Sequence, residues 1–393
     1  MRVAALITCA AACGLALLLN GEADDADSPA AGRTAPPVRP AAPAGYRVPH
    51  RAIRVSTSRQ LHAALARAAR STIVLARGAY ESRRPFLNPH GHRVYAARRG
   101  RAVLRAGLSL GGNTGRPGAL VRGVVVDIDD AGRTVDGAAI AVWGTGRNVR
   151  ILDTTLRGNG VTGAGISAQQ PEGLEVRRVV ARHFTDFGIF VDANDLNEGP
   201  LSSPFHIRDV DVADVGRPDP GSSNGRAEAC IWIGNTGSVR RVRLRSCAWT
   251  GLWTGTSADR AQVDGLDVDL APTGVYVEHF TRDSTFRRLR IGPRVRVGLT
   301  AEWADPAWDR QPASVDNLIE LSRFESWLAG VYLDEGTTRT TVRRSSFANQ
   351  SWAAIGDYRG DGNVYGSNVY DGVDAGVPPV RHDHISSAPE GGA

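Results

Sequence analysis

The chain has 393 residues, 42% of them apolar and 6% aromatic, with 45 glycines and a formal net charge of +6. These figures exclude a collagen-like chain, a coiled coil and a wholly disordered one, and so mild a positive excess does not call for a nucleic-acid partner. All 47 basic residues are arginine, which rules out chemistry that needs a lysine: a Walker-type phosphate loop, a Schiff base or a lysine general base.

Val3 to Leu19 is an almost unbroken apolar run behind Arg2, and Gly21-Glu22-Ala23 offers small residues for cleavage. Residues 1–23 are therefore expected to be a secretory signal peptide and the mature protein to be extracellular; left uncut, the same run becomes a membrane tether. Cys9 and Cys13 lie inside the run, which continues past both and so argues against a lipoprotein. Residues 24–50 are rich in Ala, Pro, Gly and Asp and read as a disordered linker. Thr57 with Gln60 then forms a capping box for a helix over 58–70, whose Leu61, Ala64, Leu65 and Ala68 share one apolar face.

Further on, a small residue followed by an alternating apolar strand recurs nine times. It begins at Ala139, Gly165, Gly188, Cys230, Gly251, Gly274, Gly298, Gly330 and Ala354, with steps of 26, 23, 42, 21, 23, 24, 32 and 24 residues. The two long steps hold insertions, at 193–204 with 216–227 and at 303–314. A second alternating motif lies between, as in Val239–Leu244, Val263–Val268 and Phe286–Ile291. Strands this short, with no helical period between them, cannot each bury a face alone. Stacking each turn on the next buries a continuous core and pairs every strand in parallel with its equivalent. The crossover rule makes the coil right-handed. The expected fold is all-β: a right-handed parallel β-helix of ten to eleven turns over 51–372, capped by the helix within 51–80 and followed by a C-terminal tail at 373–393.

The segment Ile53–Leu61 through Thr72–Tyr80, with the repeat behind it, resembles secreted members of the pectate-lyase-like superfamily over about residues 51–372. The resemblance implies the fold and leaves the activity open among lyases, hydrolases, epimerases, tailspikes and adhesins. Trp-x-Asp-His segments of the arginine-base lyases are absent, as are Asn-Thr-Asp and Gly-His-Gly motifs of polygalacturonases. Asp305-Pro-Ala-Trp-Asp309 only echoes the Asp-Pro-His-Asp of alginate epimerases.

Alternate side chains of a strand point outward. One outward column reads Ala141, Ser167, Phe190, Trp232, Trp253, Tyr276, Thr300, Tyr332 and Gly356. Its neighbour reads Trp143, Gln169, Asp192, Gly234, Gly255, Glu278, Glu302, Asp334 and Tyr358. An aromatic stripe thus runs beside a line of carboxylates, with the insertions as end walls and two glycines leaving the floor open. That is a sugar-binding trench, in which Phe190, Trp232, Trp253, Tyr276, Tyr332 and Trp303 of the wall loop would stack on pyranose rings. Exposed aromatics that merely raise strand propensity are the alternative. Glu278, Glu302 and Asp334 would stand about 5 Å and about 10 Å apart on consecutive turns. Such crowding raises at least one pKa and so makes a general acid, or it holds calcium, the one cofactor this row could take. Asp192 is a further acid of the column and His279 a weaker base; an acidic ladder paired with Arg359 or His279 is the inert alternative. The expected protein is a monomeric polysaccharide lyase or glycoside hydrolase acting on a polymer that includes acidic ones. A carbohydrate-binding or adhesion protein using the same face is the runner-up.

Cys230 and Cys247 remain in the mature chain; export allows a disulfide, and two separate buried thiols are the alternative. Gly158–Gly163 fits a dinucleotide fingerprint but leads into a strand and so reads as a turn. His90 with His92, and His382 with His384, have metal-ligand spacing and nothing more. The doublets Arg177-Arg178, Arg240-Arg241, Arg287-Arg288 and Arg343-Arg344 read as a charge ladder with acids such as Asp264 and Glu320 on the intervening turns.

Overall fold

The computed structural model describes residues 49–385 apart from 112–117, 144–146, 170, 193–203, 217–227, 235, 256–257, 279–280, 302–313, 372 and 374–375. The leader at 1–23, the linker at 24–50 but for its last two residues, and nearly all of both insertions lie outside the described residues.

Three strands per turn close each coil, and each pairs in parallel with the strand one turn on. On the first face the inward residues run Phe86, Leu108, Ile140, Ile166, Ile189, Ile231, Leu252, Val275, Leu299, Val331, Ile355 and Val380. The second face runs from Ile53 through Ile73, Val94 and Val121 to Val342 and Tyr365. The third runs from Tyr80 and Leu104 to Phe324 and Phe347. Aliphatic side chains at a rung spacing of about 4.8 Å stack into one continuous core, and most are fully buried. The coil extends beyond residue 372, because Val380–Arg381 adds a last rung beside Ile355 and Gly356.

The small residue that opens each repeat has a steric cause. A Cβ at Gly330 would lie 2.3 Å from the Phe347 ring, and one at Gly298 would lie 2.5 Å from the Phe324 ring. The first-face strand passes directly under a third-face side chain there. At the equivalent place Cys230 bonds Cys247, both sulfurs buried, so a disulfide closes one turn of the coil.

The corner between the second and third faces needs a left-handed residue on every turn. Asp153, Arg178, Asp209, Arg241, Arg288, Leu321 and Arg344 all take φ between 51° and 56° there. L-residues resist this conformation, and ion pairs between turns offset the strain. Arg178 binds both oxygens of Asp153 at 2.6 and 2.9 Å, and Arg241 binds those of Asp209 at 2.6 and 3.0 Å. Arg287 and Arg288 converge on Asp264, and Arg343 meets Glu320 at 3.0 Å. Most members of the doublets thus belong to a charge ladder.

The cap helix is Ser58–Leu65, shorter than expected; Thr57 accepts from the Gln60 N–H, and Leu61, Ala64 and Leu65 are buried, while Ala68 lies past the helix end and is exposed. His92 fastens the cap. Its Nδ1 accepts the Ser71 N–H at 3.0 Å, so Nε2 carries the proton and donates to the Leu65 carbonyl at 3.1 Å. His92 is fully buried, a satisfied core histidine with both ring nitrogens in use.

Two outcomes follow from these contacts. Replacing both cysteines by alanine frees a turn of 17 residues' separation and should cost about 3 kcal/mol in urea unfolding. Burial lowers the His92 pKa, so the folded state resists a proton that the unfolded state accepts. The contribution is complete above the unfolded value of about 6.5 and is lost as pH falls through the lower folded value. Unfolding measured from pH 7 to 5 should show this loss, and His92→Gln should remove that part of the slope.

Candidate functional site

The outward column of the first face has the expected register. Ser167, Phe190, Trp232, Trp253, Tyr276, Thr300, Tyr332 and Gly356 pair in that order, one per turn. Their exposures differ. Phe190 and Trp232 are half-buried and stacked, with ring centroids 4.6 Å apart and planes inclined by 19°. Trp253 and Tyr276 meet edge to face at 5.2 Å and are each 8% exposed. Trp249, in the turn before Thr250, packs on both at 4.9 and 5.3 Å and is itself 38% exposed. Trp249 is a residue that alternation cannot find, since it belongs to a corner and not to a strand. It presents the open ring surface of this cluster, over two rings expected to be platforms themselves.

Tyr332 is placed differently from expectation. It is 2% exposed, packed on Trp352 and covered by the C-terminal segment, whose Ile385 N–H reaches its hydroxyl at 3.5 Å and whose His384 ring stands edge-on at 6.2 Å. The chain folds back over the end of the face, so Tyr332 offers no ring to a ligand. The glycine floor is not empty either. A Cβ at Gly234 or Gly255 would lie 2.3 or 2.2 Å from the Trp232 indole. The two glycines make room for that ring to lie flat across the neighbouring column.

Among the carboxylates, Glu278 is half-buried, and its Oε2 accepts the Trp253 indole N–H at 3.0 Å. Asp334 is half-buried on the same column; its Oδ1 accepts the Tyr332 hydroxyl at 3.2 Å and the Glu335 N–H at 2.8 Å. Burial pushes its pKa up, and these hydrogen bonds and the nearby His384 only partly oppose that. Burial, reinforced by the Asp334 charge, pushes the Tyr332 phenol up as well. Asp192 is half-buried at the end of Phe187–Asp192, in register with Gln169. Glu302, His279 and Trp303 lie outside the described residues. Among the described residues no group of three or more His, Cys, Asp or Glu stands ready for a metal ion. Glu278 and Asp334 each give one oxygen to protein donors.

Among the described residues, no helix is long and apolar enough to cross a membrane. No protein-family model and no curated protein matches the sequence. Solved structures do. The A-module of the Azotobacter vinelandii mannuronan C-5 epimerase AlgE4 superposes with a TM-score of 0.61 at 15% identity, covering 82% of this chain and 93% of that one. An alginate lyase, AlyF-OU02, in complex with G6 gives 0.54 at 11%, covering 85% and 88%. The catalytic domain of a GH87 α-1,3-glucanase with nigerose gives 0.53 at 12%, covering 88% and 70%. The chain therefore has the right-handed parallel β-helix fold of the pectate-lyase-like proteins.

Proposed function

We propose that this is a secreted polysaccharide-active enzyme, a lyase or glycoside hydrolase, working along the first face between Phe190 and Asp334. The observation that carries the reading is the Trp253–Glu278 hydrogen bond, which fixes a carboxylate against the aromatic cluster. A sugar stacked on Trp249 or Trp232 would lie beside that acid. The names of the similar structures, an epimerase, a lyase and a glucanase, support a carbohydrate substrate.

The two described acids suit different roles. Burial raises the Asp334 pKa, which suits this carboxyl to give a proton to a leaving glycosidic oxygen. Glu278 can take a proton from the attacking water or from the sugar carbon. Two rungs separate them by about 10 Å along the backbone, close to the ~6.5–9.5 Å between the carboxyls of an inverting glycosidase. If Glu302 joins the row as alternation in the sequence leads one to expect, the spacing would shorten toward the ~5 Å of a retaining one. The second reading is binding without turnover, favoured by the protein donors that Glu278 and Asp334 already hold.

A screen on uronate and neutral polysaccharides separates these readings. Ultraviolet-absorbing unsaturated ends mean a lyase, new reducing ends alone a hydrolase, and retention without products a binder. Trp232→Ala should weaken saccharide binding about fivefold, since one stacking platform is worth about 1 kcal/mol. Glu278→Gln keeps an acceptor for the Trp253 N–H and removes the charge, so turnover should vanish while binding persists. Normal turnover by that variant would end the catalytic assignment. Because Asp334 must be protonated to act as the acid, rates should fall as pH rises through its elevated pKa, and Asp334→Asn should abolish that limb of the profile.

A further inference from the structure

The second face carries a cleft that the trench does not use. It has a volume of about 710 Å³ and is lined by residues between Asn148 and Gln262, among them five arginines and a single acid, Glu175. One outward column supplies Glu175, His206, Ser238 and Gln262 on consecutive turns, and the next supplies Arg177, Arg208 and Arg240.

The charges are unevenly matched. Glu175 is shared by Arg150 and Arg208, each at 2.8 Å, and these guanidiniums hold its carboxyl below the usual range despite burial. Arg241 is tied to Asp209. Asp264, which follows Arg240 in its column, is taken by Arg287 and Arg288 from the far side. Arg240 and Arg260 are both exposed, and their side chains make no hydrogen bond or ion pair among the described residues, although Asp259 lies near enough to Arg260 to feel its charge. Most arginines of the ladder are bound to carboxylates of the chain, whereas at the cleft the Arg240 and Arg260 guanidiniums hold no ion pair among the described residues. Beside them stand neutral groups suited to hydroxyls. His206 Nδ1 and Ser238 Oγ share a hydrogen bond of 2.8 Å, and the Gln262 amide lies on the next rung.

A guanidinium fork matches a carboxylate in two parallel hydrogen bonds, and a volume of this size holds a small oligosaccharide. We infer that this cleft is an accessory binding site for a uronate-bearing stretch of polysaccharide, with Arg240 and Arg260 on sugar carboxylates and His206, Ser238 and Gln262 on hydroxyls. The inference rests on the reading of the protein as polysaccharide-active, and it names the substrate class as anionic.

The test is calorimetric titration of the full chain with hexagalacturonate and an alginate hexamer as anionic probes and cellohexaose as the neutral one. Arg240→Ala/Arg260→Ala should weaken the better anionic probe at least tenfold, flatten its salt dependence and leave cellohexaose unchanged. Arg98→Ala/Arg99→Ala removes the same charge nearer the cap and should have little effect. The inference is overturned if neither anionic hexamer binds, if the Arg240/Arg260 variant binds like the parent, or if both arginine pairs matter equally. The trench reading fails separately. In that case Trp232→Ala leaves every probe unaffected, while the dependence on Arg240 and Arg260 stands.

Discussion

Everything in this molecule depends on one constraint, the parallel pairing of each rung with its equivalent one turn later. Backbone hydrogen bonds set the spacing at about 4.8 Å, and inward aliphatics keep the register, because a slip of one residue would turn the core outward. Once the inward residues are fixed from Phe86 to Val380, each outward side chain has a compulsory neighbour above and below. Chemistry on the surface is therefore arranged in columns, whatever it serves. The aromatic stripe, the carboxylate row and the arginine ladder are three uses of one spacing.

That spacing also decides what a column tolerates. Like charges repeated at a rung's distance repel, which is why arginines at the left-handed corner alternate with acids across turns, as Arg178 does with Asp153 and Arg241 with Asp209. Aromatic rings repeated at the same distance attract, and Phe190 and Trp232 stack nearly parallel. Where a column breaks its pattern, the break leaves a group without its counterpart. Arg240 is such a case, because its neighbour Asp264 is held by arginines from the following turn.

The register is legible in the sequence, since alternation reports directly on which side of a strand a residue lies. Every assigned partner from Ala141 to Gly356 pairs as alternation requires. What alternation cannot report is what lies over an outward residue. Tyr332 points outward and is nonetheless buried, because residues 382–385 return across the face, a tertiary event with no local signature. The glycines at 234 and 255 suggest an empty floor until the Trp232 ring is seen lying across them. The cap helix stops at Leu65 and not at residue 70 because the chain must turn to enter the strand Thr72–Leu75. Trp249 carries no signal in the sequence for a related reason: corners have no period.

These departures bear on the site itself. With Tyr332 covered, the aromatic part of the first face that a ligand can reach runs from Phe190 to the Trp249 cluster, and Asp334 lies beyond it, at the end that the C-terminal segment closes. Desolvation is the leading cause of the raised pKa of Asp334. Glu278 is tied to an indole N–H. The same column thus places two acids in different surroundings, one desolvated near the returning C-terminal segment and one fixed against the aromatic cluster. The proposed acid and base roles would draw on that difference in surroundings.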